Sequence, residues 1–201
     1  VFAICTMDCG EYNNIHPVDK RTPGERLGNC ALHQVYGMSR IPVYGPTVLG
    51  FRCDEGGRVR LFFRYAHGLH FSGTTPDSFG DEFAKSLPSL VRLPERSGFE
   101  LAGADGVFHP AYAAIFVDCD IDDLVNAKVN VVDYNATEFG IPINSRSIGT
   151  ITLATPEVPA PVMMRYAWRS WGPAPLFNDN NLPAHPFKLD LTDHTDSDHA
   201  E

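Results

Sequence analysis

The chain has 201 residues, 43% of them hydrophobic and 20% charged, and carries a net charge of -9 from 16 Lys and Arg against 25 Asp and Glu. That supplies apolar material for one large domain or two small ones, and no continuous apolar stretch is long enough to span a bilayer, so no membrane partner is expected. The acidic balance also argues against nucleic acid, since a phosphate polymer is held by clustered Lys and Arg.

Val1-Phe2-Ala3-Ile4-Cys5 reads as a short strand buried on both faces. The chain starts inside that run with no initiator Met and no basic leader, so it reads as a carboxy-terminal fragment or processed subunit whose sheet continues elsewhere. Asn13-Asn14-Ile15-His16-Pro17 follows as a loop. A histidine on a loop between a strand and a helix is placed as a base, because imidazole titrates near neutrality and can take and return a proton. Thr22-Pro23-Gly24-Glu25 has the form of a capping box, with Thr22 at the cap and Pro23 at the first helical position. Leu27, Cys30, Ala31, Leu32 and Val35 give an apolar stripe at helical spacing, and Tyr36-Gly37 supplies the stop. The unit is strand, histidine loop, helix.

Beyond Gly37 the pattern becomes short strands separated by Gly, Pro, Asp and Asn, which favours an antiparallel sandwich. Strands are expected over residues 58–65, 99–102, 150–154 and 162–168, with turns at Glu55-Gly56-Gly57 and Asp105-Gly106. Residues 74–96 form a long surface excursion with a short helix over 81–86, residues 118–126 an acidic turn or loop, and residues 190–201 a flexible polar tail.

Cys5, Cys9, Cys30, Cys53 and Cys119 make an odd count without metal-ligand spacing. Asn135-Ala136-Thr137 fits the glycosylation pattern, and a secreted, periplasmic or lysosomal location is the expectation. His67 and His70 would point to opposite faces of a strand, and Asp193, His194, Asp196, Asp198 and His199 lie on a tail without fixed geometry, so neither a metal nor another cofactor is expected. Arg165, Tyr166, Trp168 and Trp171 have the chemistry of a sugar platform. Core packing is the favoured reading for Tyr166 and Trp168, with Arg165 and Ala167 on the other face.

Asn14-Ile15-His16-Pro17, Lys20, Gly24-Glu25-Arg26-Leu27 and Tyr36-Gly37 resemble the histidine block near the end of the catalytic domain of sialate O-acetylesterases. Residues 99–106, Arg165-Tyr166-Ala167-Trp168 and Asn181-Leu182-Pro183-Ala184-His185-Pro186-Phe187 resemble that family's terminal β-rich region, in the same order. The resemblance implies a serine esterase of the SGNH-hydrolase type, α/β plus all-β. Residues 1–42 would be the C-terminal piece of an α/β/α catalytic domain, residues 43–189 an antiparallel β-sandwich-like domain and residues 190–201 a tail.

It further implies removal of O-acetyl groups from sialic acid or related sugars, with His16 deprotonating a serine that attacks the acetyl carbonyl. No G-x-S-x-G is present, and Asp77-Ser78 falls downstream of the histidine in the surface excursion. The nucleophile is therefore expected in upstream sequence, and the partners are an acetylated carbohydrate and the N-terminal portion or subunit of the same protein. Where many SGNH enzymes carry Asp three residues before the histidine, this chain has Asn13, which can orient imidazole but cannot stabilise its charge. Asp8, Asn13, Glu11 or a backbone carbonyl are the candidate orienting groups. The alternative is a noncatalytic carbohydrate-binding or interdomain β module.

Overall fold

A computed structural model describes residues 2–72, 91–116, 130–131 and 148–192. The expectations for residues 74–90 and 118–126, for Cys119, Asp77-Ser78 and the Asn135 tripeptide, and for the tail beyond residue 192 lie outside the described residues. Helix α1 spans Arg21–Gln34. Among the described residues twelve strands follow: β1 Thr47–Asp54, β2 Arg58–Arg64, β3 His70–Phe71, β4 Val91–Arg92, β5 Phe99–Ala102, β6 Phe108–Pro110, β7 Tyr112–Phe116, β8 Asn130–Val131, β9 Gly149–Ala154, β10 Met163–Tyr166, β11 Leu176–Phe177 and β12 Phe187–Asp190, with a short helical turn α2 at Pro94–Ser97. The described part is largely β.

All pairings are antiparallel. A six-stranded sheet runs in the order β4-β7-β9-β2-β1-β8, a four-stranded sheet β12-β10-β5-β6, and β11 pairs β3. In β2, Val59, Leu61 and Phe63 point to one buried core, as the period of two dictates, while Phe62 is buried on the other face. Both larger sheets feed that core: Phe51, Leu61 and Ile151 from one, Phe99, Leu101, Met164 and Tyr166 from the other. Tyr166 is wholly buried, and its hydroxyl accepts from the Leu176 amide at 2.9 Å, so the polar end is satisfied where burial pushes its pKa up. The ladder runs to Asp190, and Leu191 is still buried, its amide donating to the Val162 carbonyl at 2.8 Å.

Three expectations are corrected. Residues 2–6 form no strand: they pair with no described segment, Phe2 is exposed, and it is the Cys5 thiol that turns inward toward the Ala184 carbonyl, at 3.5 Å. An apolar run becomes a strand only where a neighbouring backbone satisfies its amides. Thr22 is not the helix cap, because α1 begins a residue earlier and the Asp19 carboxylate accepts from the Thr22 amide at 3.0 Å, while Glu25 pairs with Arg21 one turn back at 2.6 Å. Trp168 is 52% exposed and not in the core. After β10 ends, Ala167 takes φ 49°, which breaks the strand's alternation and sends the next side chain outward.

Asn178, 2% exposed, fastens the helical unit to the sheets. Its amide nitrogen donates to the carbonyls of Tyr44 at 2.9 Å and Tyr65 at 3.1 Å, and its side-chain oxygen accepts from the amides of Asn180 and Leu182, both at 3.2 Å. A buried amide so fully engaged specifies one arrangement of the three segments it joins. The same loop lies directly on Gly45, where an added Cβ would sit 2.0 Å from the Pro183 carbonyl oxygen. Gly45→Ala is therefore expected to destabilise the protein by about 2–3 kcal/mol through overpacking. Thermal denaturation should then show a midpoint lower by roughly 4–12 °C; an unchanged midpoint would mean that this backbone approach is not present.

Candidate functional site

The histidine loop is built on Glu11. Its carboxylate accepts from the Val18 amide at 2.7 Å and from the Asn14 side-chain nitrogen at 3.0 Å, and the Asn14 side-chain oxygen in turn accepts from the His16 amide at 2.9 Å. These local side-chain bonds replace the ladder that a strand would supply. Asn14 and Glu11 thus shape the loop, and His16 is left exposed at its crest. Tyr12 meets Trp171 edge to face at 5.5 Å between ring centroids, and the Trp171 ring covers Gly10 so closely that a Cβ there would lie 3.3 Å away. Trp171 seats the loop on the β-rich part of the chain.

Arg26, from the face of α1 opposite the solvent, holds the segment before the loop. Its guanidinium makes a bidentate pair with Asp8 at 2.6 and 2.7 Å, donates to the Cys5 carbonyl at 2.8 Å and reaches the Asn181 carbonyl at 3.2 Å. Both Asp8 oxygens are therefore engaged by Arg26, and no hydrogen bond joins Asp8 or Asn13 to His16. Among the described residues no side chain binds the His16 ring, and no serine hydroxyl is hydrogen-bonded to it. The structure brings Asp8 together with Arg26, and Glu11 with Asn14, and leaves His16 and Asn13 facing solvent.

Cysteine offers no alternative nucleophile in this neighbourhood. Burial pushes the Cys9 thiol up to about 11, with Asp8 adding to the effect, and burial also raises Cys5. Both therefore stay protonated near neutrality, and the thiolate is the reactive form. Cys5, Cys9, Cys30 and Cys53 are all free thiols.

The other candidates are placed apart. Arg165 and Arg169 both bind Glu100, Arg165 at 2.7 Å, and Arg165 also lies over the Phe108 ring at 3.9 Å, so these cations are committed to an internal carboxylate. Burial alone would raise the Glu100 pKa, but the two arginines outweigh it and hold the carboxyl below its usual range. His67 and His70 do not converge: His67 Nδ1 donates to Asp179 at 2.5 Å and His70 Nδ1 to the Gly68 carbonyl at 2.8 Å. Among the described residues there is no group of three or more His, Cys, Asp or Glu able to hold a metal, and no helix is long and apolar enough to cross a membrane.

Two features of the surface have no counterpart in the sequence reading. The first is the direction of the α1 stripe. Gly24, Leu27, Gly28, Ala31, Leu32 and Val35 fall on one face by helical spacing, and that face is exposed, Leu27 at 58% and Val35 at 67%. Only Cys30 of the expected stripe is buried. In the histidine loop Ile15, at 91%, and Val18, at 83%, are exposed apolar side chains as well. The second is a cleft between α1 and the sheets that contains the His67–Asp179 pair. Its two members are 112 residues apart, and no local pattern links them.

No family model matches the chain, and no curated protein does. Among solved structures, a carbohydrate acetylesterase from Xanthomonas citri is similar, with 24% identity and a TM-score of 0.57 over 91% of this chain. The likeness is one of fold. The chain spans 31% of that protein's length.

The Glu11 contacts make the loop sensitive to acid. Donation from the Val18 amide first, and from Asn14 second, holds the Glu11 carboxyl below its ordinary value, so the carboxylate stabilises the loop above the unfolded pKa and that stability is lost as pH falls through the lower folded value. Amide hydrogen exchange at Val18, followed from neutrality to below the ordinary carboxylate range, should show protection that fades at the acid end, while Glu11→Gln should be poorly protected throughout. Protection that is the same in both proteins across this range would contradict the assigned contact.

Proposed function

We propose that this chain is the C-terminal portion of a serine-dependent carbohydrate O-acetylesterase that acts on acetyl groups of sialic acid or related sugars. In this reading His16 is the general base, the serine and its oxyanion donors lie in upstream sequence, and residues 1–42 complete an SGNH-type α/β/α catalytic domain ahead of a β-sandwich-like domain. The single observation that carries the reading is the exposed apolar face of α1, Leu27, Leu32 and Val35, together with the exposed Ile15 and Val18 on either side of His16 in sequence. Isolated exposed apolar side chains are ordinary, but a continuous stripe on a helix next to a chemically useful histidine marks an interface. Gly24 and Gly28 have open space above them, which leaves room for another backbone to approach closely. The acetylesterase activity of the protein with the similar fold agrees with this reading, as does the resemblance of the His16 block and of the terminal region to sialate O-acetylesterases.

The mechanism follows from what an unpaired, exposed imidazole can do once a neighbouring hydroxyl is supplied. His16 removes the serine proton during attack on the acetyl carbonyl, then returns it to the departing sugar oxygen, and repeats the sequence with water to release acetate. Asn14, through its bond to the His16 amide, and Glu11, through Asn14 and Val18, act as positioning residues. The orienting partner of the ring is expected in the covering segment, because Asp8 is held by Arg26.

Trp168, 52% exposed, favours a second reading in which the chain is a noncatalytic carbohydrate-binding module. One experiment separates the two. p-Nitrophenyl acetate hydrolysis should appear when the chain is joined to its upstream sequence, and His16→Ala should lower kcat by roughly 10²–10⁴-fold, the usual contribution of a general base. A joined protein whose His16→Ala variant retains full activity would sink the esterase role of this histidine and leave the binding module.

A further inference from the structure

The cleft between α1 and the sheets has a volume of about 340 Å³ and is bounded by Arg40, Tyr44, Tyr65, His67, Asp179 and Asn180 among others. Its polar wall is preorganised. His67 Nδ1 donates to one Asp179 oxygen at 2.5 Å, and the Asn180 side-chain nitrogen donates to the other at 3.1 Å, so the carboxylate, the neighbouring amide and the imidazole are held side by side. With its Nδ1 proton committed to Asp179, a neutral His67 has Nε2 available as an acceptor. The lining also includes Tyr44, stacked on Tyr65 at 4.7 Å between centroids and in edge-to-face contact with His33 at 5.7 Å.

The backbone is strained to keep these walls in place. Tyr65 has φ 53°, a left-handed conformation that is costly for an aromatic residue, and Asn178 pins its carbonyl from inside. Gly68, at φ 61°, lets Asp179 come so near that an added Cβ would lie 2.6 Å from the Asp179 Cβ. The Asp179 amide also donates to the His67 carbonyl at 3.0 Å, so the two segments are joined by backbone as well as by side chains. Such investment at the rim of an open cleft is a feature of binding sites.

We infer that this cleft binds a sugar ring. A carboxylate beside a carboxamide can accept from and donate to neighbouring hydroxyls, an aromatic wall receives the apolar C–H face, and the one carboxylate, two imidazoles and one guanidinium of the lining give no cluster of permanent cations of the kind a polyphosphate needs. Asp179 and Asn180 engage vicinal hydroxyls, His67 fixes the carboxylate and accepts a third hydroxyl, and the Tyr44 pair sets the ring plane. The choice of a sugar rests on the carbohydrate reading above; the existence of a ligand site rests on the geometry alone.

The test is saturation-transfer NMR on the 201-residue chain with probes free of O-acetyl groups, xylotetraose, mannotetraose and the methyl glycoside of N-acetylneuraminic acid with its carboxylate free, which contain no ester and so report on binding without reference to hydrolysis. At least one probe should bind with a dissociation constant in the millimolar range, and Asp179→Ala and His67→Ala should weaken it by about tenfold or more, with unchanged thermal midpoints because the backbone tie remains. Absence of transfer from all three probes would overturn the proposal. So would binding that survives both substitutions, or binding that is abolished only by Trp168→Ala. Any of these results would leave the esterase reading standing, since that depends on His16 in the joined protein.

Discussion

The guanidinium of Arg26 is the contact on which the arrangement of this chain depends. Its two terminal nitrogens reach Asp8, the Cys5 carbonyl, the Cys9 sulfur and the Asn181 carbonyl, so one side chain ties the N-terminal segment, the helix and the loop after β11 into a single unit. A partly buried ion pair of this kind is costly to break, about 3–5 kcal/mol when one partner is removed, because the other charge is left without compensation. The pairing also decides which face of α1 is turned inward. Arg26, Cys30 and His33 share the packed side by helical spacing, and the more apolar stripe is therefore turned to solvent.

That inversion connects the fold to the proposed chemistry. A helix normally buries its apolar face, and here the buried face is the one with the arginine while Leu27, Leu32 and Val35 remain outside. The histidine loop that precedes this helix is held by Glu11 and Trp171, yet the His16 ring has no partner of its own among the described residues. In the proposed reading, loop, helix and apolar face form one side of an interface, and His16 is the base.

The sequence made the elements legible more readily than their environment. The strands over β2, β5, β9 and β10 were readable because alternation and flanking glycines report directly on local geometry, and the turns at Gly56, Gly57 and Gly106 do take left-handed φ. Helix α1 was readable from its period, but its inward face was not, because Arg26 finds Asp8 and Asn181 at separations of 18 and 155 residues. Trp168 was misplaced by extending the strand alternation past Ala167, whose left-handed backbone ends it. The apolar run at residues 1–5 had the composition of a strand without a described neighbour to pair with. His67 is joined to Asp179 by the pairing of β3 with β11, a long-range event that no window of sequence contains.

The central claim is that the exposed face of α1 is an interface for further polypeptide of the same protein, beside a histidine used in catalysis. Hydroxyl-radical footprinting of Leu27, Leu32, Val35 and Tyr36 tests it directly, by comparing the isolated 201-residue chain with the chain joined to its upstream sequence. The account predicts strong labelling of these side chains in the isolated chain and protection of about tenfold or more in the joined protein, as expected for side chains moved from solvent into a packed core. Equal labelling in the two proteins would contradict it.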